Sequence, residues 1–401
     1  MKRTLLPIAA VLAAALALPA TAQKKYDPGA SDSEIKIGNT NPYSGPASAY
    51  GTIGKSIAAY FKMVNERGGI NGRKVNFISY DDGYSPPKTV EMARKLVEQD
   101  EVLLLFQTLG TPSNTAIQKY MNGKKVPQLF VATGATKWND PKGNPWTMGW
   151  QPNYQTEGKI YAKHILQTKP NAKIAVLYQN DDYGKDYLKG FEDGLGAKKS
   201  MIVAKASYEV ADPTVDSQIV QLKASGADVF FNITTPKFAA QAIRAAYDTG
   251  WKPVHYLNNV SNSVGSVLTP AGLEKSVGII TTAYLKDPTD KTWENDAAMK
   301  TWRAFMAKYY PDGNLADPFN VYGYTVGRTL EQVLKQCGDN LTRENVMKQA
   351  ASLKRLQLDT LLPGIAISTG PSDFAPIEAM QLERFNGKQF ELFGSVISSE
   401  D

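Results

Sequence analysis

Cysteine and histidine are scarce in this chain, which limits both how it can be stabilised and what chemistry it can do. Its 401 residues include one cysteine, Cys337, and two histidines, His164 and His255. A single cysteine cannot form a disulfide within the chain, so stability must come from packed cores. The histidines are far apart and no HExxH pattern occurs, which argues against a transition-metal site. We therefore expect neither a metal nor any other cofactor.

Motifs of catalysis and nucleotide binding are also missing. The sequence contains no GxSxG nucleophile elbow and no GxGxxG dinucleotide fingerprint. Gly54-Lys55-Ser56 resembles the end of a phosphate-binding loop, but the glycine that this motif requires five positions earlier is Ala49. No pattern pairs a nucleophile with a base. We therefore expect a protein that is not an enzyme, and a secreted hydrolase is disfavoured.

Long hydrophobic runs and basic blocks are absent from most of the chain. The formal net charge is +6, but charges of both signs are interleaved and no basic block carries aromatic spacing, so we expect no nucleic-acid partner. The one long apolar run, residues 5–18, follows Lys2 and Arg3 and ends before Ala20-Thr21-Ala22. This pattern is typical of a secretory signal peptide and is too short to span a membrane. We expect cleavage near Ala22 and an exported protein that is not embedded in the membrane.

The remaining sequence alternates strand-like and helical patterns, and it does so twice. The first series predicts strands over 34–38, 75–80, 102–106 and 127–132, and helices over 50–67, 85–99 and 113–122. After a crossing segment at 146–154, the second series predicts strands over 173–178, 201–208, 229–233, 254–257 and 277–282, with helices over 155–168, after 183–184, over 214–225 and over 237–249. Such alternation predicts two parallel sheets with helices on both faces.

The C-terminal part has a different pattern. Three helices are predicted over 293–309, 319–336 and 342–352, and two β-like runs, 377–385 and 389–397, surround Asn386-Gly387. Asn-Gly between two such runs predicts a β-hairpin. A chain that crosses three times between two lobes can hinge in its extended connections.

Small polar residues follow two strands of the first series, in the segments 108–113 and 133–136. In open α/β sheets, ligands bind just beyond the carboxyl ends of the strands. Donors to a carboxylate could come from Gly110, Thr111, Ala135 and Thr136, helped by a helix N-terminus. The alternative is that these residues only cap the segments that follow. In the second series, Tyr183 follows a strand and offers both a flat face and a hydroxyl.

Five short segments in one order and spacing indicate a family. They are 44–51 (SGPASAYG), 66–72 (ERGGING), 80–82 (YDD), 133–136 (TGAT) and 182–184 (DYG). With them, nearly all of the mature chain resembles the type I periplasmic binding proteins of the branched-chain amino acid class, the leucine/isoleucine/valine-binding proteins of ABC importers. The resemblance implies an α/β fold of two Rossmann-like lobes joined by a three-segment hinge. It implies an N-terminal lobe of 33–152 plus 283–361 and a C-terminal lobe of 153–282 plus 362–401.

The resemblance also implies the residues of a ligand site between the lobes. Carried over position by position, the site comprises Tyr50, Leu109, Gly110, Thr111, Gly134, Ala135, Thr136, Tyr183, Thr235, Val260 and Phe319. The small disulfide of the family is missing, since its positions fall on Tyr84 and Leu109. The implied partners are a small carboxylate ligand and the permease subunits of an ABC importer. The implied location is the periplasm, and we expect a monomer.

One departure from the family bears on the ligand. Amino-acid binders of this class place an acidic residue near the Val260 position to meet the ligand ammonium. The run 258–262 (NNVSN) contains no acid, and a buried ammonium needs an anionic or aromatic partner. The sequence therefore favours a carboxylate without an amine, aromatic or branched. A branched-chain or other amino acid and a periplasmic sensor role remain alternatives.

Overall fold

The computed structural model describes residues 23–398. The predicted signal peptide, residues 1–22, lies outside the described residues. The strands are β1 Lys25–Tyr26, β2 Glu34–Asn41, β3 Lys74–Asp81, β4 Leu104–Phe106, β5 Gln128–Val131, β6 Thr147–Gly149, β7 Ile174–Gln179, β8 Ile202–Tyr208, β9 Val229–Ile233, β10 Val254–Leu257, β11 Ile280–Ala283, β12 Asn340–Leu341, β13 Ala379–Phe385 and β14 Phe390–Ser398.

The helices alternate with these strands as the sequence predicts. They are α1 Gly51–Glu66, α2 Pro86–Glu98, α3 Thr111–Lys124, α4 Tyr154–Thr168, α5 Asp182–Leu195, α6 Asp216–Ala224, α7 Pro236–Asp248, α8 Thr269–Ala271, α9 Ala297–Tyr309, α10 Pro318–Cys337 and α11 Arg343–Ala350. Proline stands in the first turn of α2, α3, α7 and α10, where its missing N–H costs no helical hydrogen bond.

The first sheet has five strands in the order β3-β2-β4-β5-β6, and each neighbouring pair is parallel. Residues 102–106 at its centre are fully buried, as expected for a parallel strand covered on both faces. The prediction of a crossing segment over 146–154 is wrong in its first part, because Thr147–Gly149 is the edge strand β6, paired beside β5. Three residues are too few to show a strand period in the sequence.

The second sheet has seven strands in the order β14-β13-β11-β10-β9-β7-β8. The five strands from β7 to β11 pair in parallel, whereas β13 and β14 join as an antiparallel hairpin. The predicted turn is confirmed, since Phe385 pairs with Phe390 and Gly387 in the loop has φ 101°. The fold is thus two α/β halves, each built on a mainly parallel sheet.

Helices α1 and α10 pack closely, and this contact sets the position of two predicted site residues. A Cβ added at Gly323 of α10 would lie 2.8 Å from the Cβ of Ser56, and one at Gly327 would lie 2.6 Å from the Tyr60 ring. Only glycine allows such an approach. The tight pairing holds Tyr50, just before α1, against Phe319 in the first turn of α10, with ring centroids 5.3 Å apart.

Between residues 23 and 398, no helix combines the length and apolarity needed to cross a membrane.

Candidate ligand-binding cavity between the two sheets

A cavity lies at the carboxyl ends of strands from both sheets. Residues that follow β4 and β5 line it from the first sheet, and residues that follow β9 and β10 line it from the second. Most of the lining side chains are buried, so the two halves enclose the space. This is the position in which open α/β sheets bind ligands.

The cavity brings together most of the predicted site residues. Eight of them line it: Tyr50, Leu109, Gly110, Thr111, Tyr183, Thr235, Val260 and Phe319. Gly134, Ala135 and Thr136 do not line it. For all eleven residues, contact with a ligand stays a prediction.

Thr136 uses its donors on the other half of the molecule. Its backbone N–H and its hydroxyl both donate to Oδ2 of Asp186 on α5, at 2.8 and 3.0 Å. The other carboxylate oxygen of Asp186 accepts from Gln155 on α4 at 2.7 Å. The 133–136 turn thus binds the second half directly, and Thr136 has no spare donor for a carboxylate while Asp186 is in place.

Thr111 is better placed than Thr136 to donate into the cavity. The hydroxyl oxygen of Thr133 accepts from the N–H of Ala135 and from the indole N–H of Trp138, both at 3.2 Å. Thr111 and Thr133 are 2.6 Å apart at their hydroxyl oxygens and either can donate; because two N–H groups already approach the oxygen of Thr133, the arrangement in which Thr133 donates and Thr111 accepts satisfies both groups best. The proton of Thr111 remains available on a side chain that lines the cavity.

Backbone donors lie beside this hydroxyl, because Thr111 begins α3. The first amides of a helix have no intrahelical partner and attract anions. Gly110 precedes the helix with φ 99°, and a Cβ there would lie 2.6 Å from the ring of Tyr84. The glycine therefore lets the chain turn into α3 while the Tyr84 ring stays packed against it.

Aromatic side chains form much of the remaining wall. Tyr50 spans the cavity edge, because its hydroxyl donates to the backbone oxygen of Val260 at 2.8 Å. Tyr154 also lines the cavity and packs against Tyr183 with ring centroids 5.5 Å apart. Burial raises the pKa of the Tyr50 and Tyr183 hydroxyls well above its usual value, so both remain neutral hydrogen-bonding groups.

The second-half tyrosine is held by a buried amide. In the orientation of Asn258 that satisfies its whole side chain, the Tyr183 hydroxyl donates to the amide oxygen. The amide nitrogen then donates to the backbone oxygens of Asn232 and Thr234, at 3.2 and 3.1 Å. Asn258 therefore ties Tyr183 to the ends of β9 and β10, which orients the ring along the cavity wall.

Sequence reasoning missed two buried acids that line the cavity, Asp287 and Glu383. Burial raises the pKa of Asp287 to about 6. Burial, followed by the nearby charge of Asp287, raises the pKa of Glu383 well above its usual value. Asp287 lies four residues beyond β11 and Glu383 lies within β13, and neither belongs to a small polar loop of the kind expected to bind ligands. Their only sequence signal was an acid within or next to a predicted strand.

These acids change the argument about the ligand. The run 258–262 contributes no acid, as the sequence states, but the cavity takes its acids from two other segments. Among residues 23–398, no lysine, arginine or histidine lines the cavity. The inference that the ligand lacks an amine assumed a site without an acid, and that assumption does not hold. A ligand carboxylate, in turn, must be bound by neutral donors such as Thr111 and the start of α3.

Comparison with known proteins agrees with this architecture. The family described as periplasmic binding protein matches residues 34–389. A Leu/Ile/Val-binding protein homolog 1 from Brucella abortus (strain 2308) is 26% identical over 336 residues, which cover 81% of this chain and 85% of that protein.

Two solved structures share the fold. A branched chain amino acid ABC transporter structure from Thermus thermophilus with bound valine superposes with a TM-score of 0.81 and 14% identity, covering 91% of this chain and 96% of the other. A fatty acid ABC transporter substrate-binding protein from Thermomonospora curvata gives 0.77 and 20%, covering 94% and 95%. The chain therefore belongs to the periplasmic binding protein family, in the type I class that includes the leucine/isoleucine/valine-binding proteins.

Proposed function

We propose that this protein captures a small carboxylate with an apolar body, aromatic or branched, and delivers it to the permease of an ABC importer. The observation that carries the proposal is the enclosed cavity, which residues from both sheets line at their strand ends. It lies where ligand binding can be coupled to closure of the two halves.

The carboxylate would bind at the start of α3. The hydroxyl and the backbone N–H of Thr111 offer neutral donors at this point, whereas Pro112 has no N–H and the N–H of Asn114 donates to the Gly110 oxygen at 3.0 Å. The apolar body would then lie against the aromatic wall, which includes Tyr50, Tyr183 and Phe319. Flat, buried rings suit a branched or aromatic body better than a polar one.

Closure of the two halves would trap the bound ligand between them. The contacts that join the halves include those from Tyr50 to Val260 and from Thr136 to Asp186. In an open form these partners would be exposed to water, so a ligand that contacts both halves would shift the population toward the closed form. We propose lobes of 33–152 plus 283–361 and of 153–282 plus 362–401, acting as a monomer in the periplasm.

Within this proposal, one form of the ligand is a carboxylate without an amine, and the alternative is an amino acid. The raised pKa values of Asp287 and Glu383 favour it, because a protonated carboxyl group can donate a hydrogen bond to a ligand oxygen. Under this alternative the two acids act as neutral donors. Of the similar proteins above, one is named for leucine, isoleucine and valine, one structure holds valine and one is named for fatty acids, so amino acids and amine-free acids are both represented among them.

Calorimetry and small-angle scattering on ligand-free protein would test the proposal. We expect at least one acid among L-leucine, L-phenylalanine, 4-methylpentanoate and 3-phenylpropanoate to bind and to reduce the radius of gyration. Failure of all four to bind, or binding without contraction, would count against capture by closure. Deletion of the gene should abolish uptake of the bound acid. Unchanged uptake with a lost transcriptional or chemotactic response would instead support a sensor.

A further inference from the structure

Glu157 is a buried acid in the first turn of α4, and it does not line the cavity. Its side chain accepts three hydrogen bonds. The hydroxyl of Tyr161 and the backbone N–H of Asn259 both donate to Oε1 at 2.7 Å, and the hydroxyl of Tyr187 donates to Oε2 at 2.6 Å. These donors are all neutral. A carboxylate that is 1% exposed and has no cationic partner here is costly, so its retention calls for a reason beyond packing.

The backbone donor belongs to a turn that forms part of the cavity wall. Asn259 and Val260 follow β10 and both line the cavity. The backbone oxygen of Val260 accepts from the hydroxyl of Tyr50, which comes from the first half of the molecule. Glu157 therefore holds, through the Asn259 N–H, the turn that carries one end of this bridge between the halves.

The two tyrosine donors connect the same carboxylate to neighbouring parts of the wall. The ring of Tyr187 stacks on that of Tyr154, a lining residue, with centroids 4.2 Å apart. The hydroxyl of Tyr161 lies 3.0 Å from the backbone oxygen of Leu257, the last residue of β10. Three segments that shape the second half of the cavity thus meet at Glu157.

This arrangement requires the ionised form of Glu157. A proton on Oε1 would compete with the N–H of Asn259, which can only donate. A proton on Oε2 would face the hydroxyl of Tyr187, whose own proton has no other acceptor among residues 23–398. Protonation of either oxygen therefore weakens one of the attachments that Glu157 makes.

Glu157 can change its ionisation near neutral pH. Burial raises its pKa from 4.5 to about 7, and the hydrogen bonds that it accepts oppose this rise. The titratable groups that face it are all tyrosines: Tyr154 and Tyr161 from α4, Tyr187 from α5 and Tyr284 after β11. Burial raises the pKa of each of these hydroxyls, so the tyrosines stay neutral while Glu157 titrates.

We propose that Glu157 is a positioning residue for ligand binding, because its ionised carboxylate holds the 259–260 turn where it lines the cavity and meets Tyr50. The inference rests on the proposed function for the ligand itself. Glu157 acts at a distance from the ligand, through Asn259 and Val260. Protonation loosens the turn and the bridge between the halves, so the affinity depends on a group that the ligand does not touch.

Calorimetry on wild type and Glu157→Gln at pH 5 and pH 8.5 tests this role. The probes are L-leucine, L-phenylalanine, 4-methylpentanoate and 3-phenylpropanoate, and each one that binds wild type is compared. Glutamine has the shape of the protonated acid and, like it, keeps one full acceptor. We expect wild type to bind at least about fivefold more tightly than the variant at pH 8.5, and about equally at pH 5. The ratio of the two constants cancels the titration of groups that both proteins share.

Two further variants separate positioning from packing. Tyr187→Phe keeps the ring that stacks on Tyr154 and removes one donor to Glu157, so the pKa of Glu157 should rise further. Carbon-13 NMR of the glutamate carboxyl groups in ligand-free protein should show the midpoint at a higher pH than in wild type. Glu331→Gln is the matched control, since Glu331 also accepts from a tyrosine hydroxyl, that of Tyr60, but lies on α10 away from the cavity lining. It should bind like wild type at both pH values.

The outcomes distinguish this role from the proposed function. An affinity ratio that is the same at both pH values, or Glu157→Gln binding like wild type throughout, would overturn the positioning role and leave the capture of a carboxylate standing. An unchanged midpoint in Tyr187→Phe would also count against the role. If none of the four acids binds, the proposed function fails, and the amide proton of Asn259 decides the rest: a resonance that follows the titration of Glu157 supports the positioning of the turn, and one that does not refutes it. Cooperative thermal unfolding shows that each variant is folded.

Discussion

Replacing Asp287 with asparagine should make the ligand-free protein more stable at neutral pH. The carboxylate is buried, has one oxygen without a partner and has a pKa raised by burial from 3.8 to about 6. At pH 7 the folded protein must therefore hold a charge that the unfolded chain carries in water at no cost. Asparagine keeps a carbonyl oxygen to accept from Thr289 and removes the charge.

The size of the gain follows from the two pKa values. The difference between 3.8 and about 6 corresponds to a destabilisation of ~3 kcal/mol at pH 7. The new amide nitrogen would stand where Oδ2 now lacks a hydrogen-bond partner, and this reduces the gain in the free energy of unfolding by ~1–2 kcal/mol. We expect Asp287→Asn to raise the free energy of unfolding by ~1–2 kcal/mol without ligand.

The sign of the pH dependence provides the check. Because the folded-state pKa is raised, the wild type keeps its full stability below pH 3.8 and loses it as the pH rises through about 6. Urea unfolding of the ligand-free proteins should show Asp287→Asn more stable than wild type at pH 7 and less stable by ~1 kcal/mol at pH 4, where most of the charge is gone and the unpartnered amide nitrogen remains. Equal stability at pH 7, or a variant that is as much more stable at pH 4 as at pH 7, would refute the idea that burial of the Asp287 charge destabilises the folded protein.

Three further predictions concern the cavity and its closure. Thr111→Val should weaken a bound carboxylate by ~1–2 kcal/mol through loss of the free hydroxyl proton, and Thr111→Ser should retain affinity; equal calorimetric constants for wild type and Thr111→Val would remove the hydroxyl from the site. Asp186→Ala leaves the Thr136 donors without their acceptor, so the ligand-bound protein should show a larger radius of gyration and weaker binding; unchanged scattering would show that this contact does not hold the halves together. The affinity for an amine-bearing ligand should fall as the pH drops below about 6 and Asp287 becomes protonated, whereas an amine-free acid should bind more tightly there; calorimetry at pH 5 and pH 7.5 distinguishes the two.

The alternation of strands and helices could be predicted because the order of apolar and polar residues within each element reflects which of its side chains are buried. Residues 102–106 are continuously apolar and are a fully buried strand region, and Asn386-Gly387 marks the hairpin that the structure contains. The strand Thr147–Gly149 was not predicted, because a segment of three residues is too short to show the alternation of apolar and polar residues that marks a strand. Such short elements are defined by their neighbours in the sheet and not by their own composition.

The cavity was predictable only in part, for a different reason. Strand-end loops such as the one containing Thr111 can be located from sequence, because parallel strands end at one edge. Whether a hydroxyl is free depends on hydrogen bonds between distant segments, so Thr111 and Thr136 look equivalent until Asp186 and Thr133 are in place. The convergence of Asp287 and Glu383, almost one hundred residues apart, has no local pattern at all.

The hydrogen bond from Tyr50 to Val260 has a consequence for how this binding site can diverge. The acceptor is the main-chain oxygen at position 260, which every amino acid supplies. The side chain there faces the cavity and can be exchanged for a larger, smaller or charged one without removing the bridge between the halves. Selectivity for a new solute can thus be altered at this position independently of the motion that encloses it.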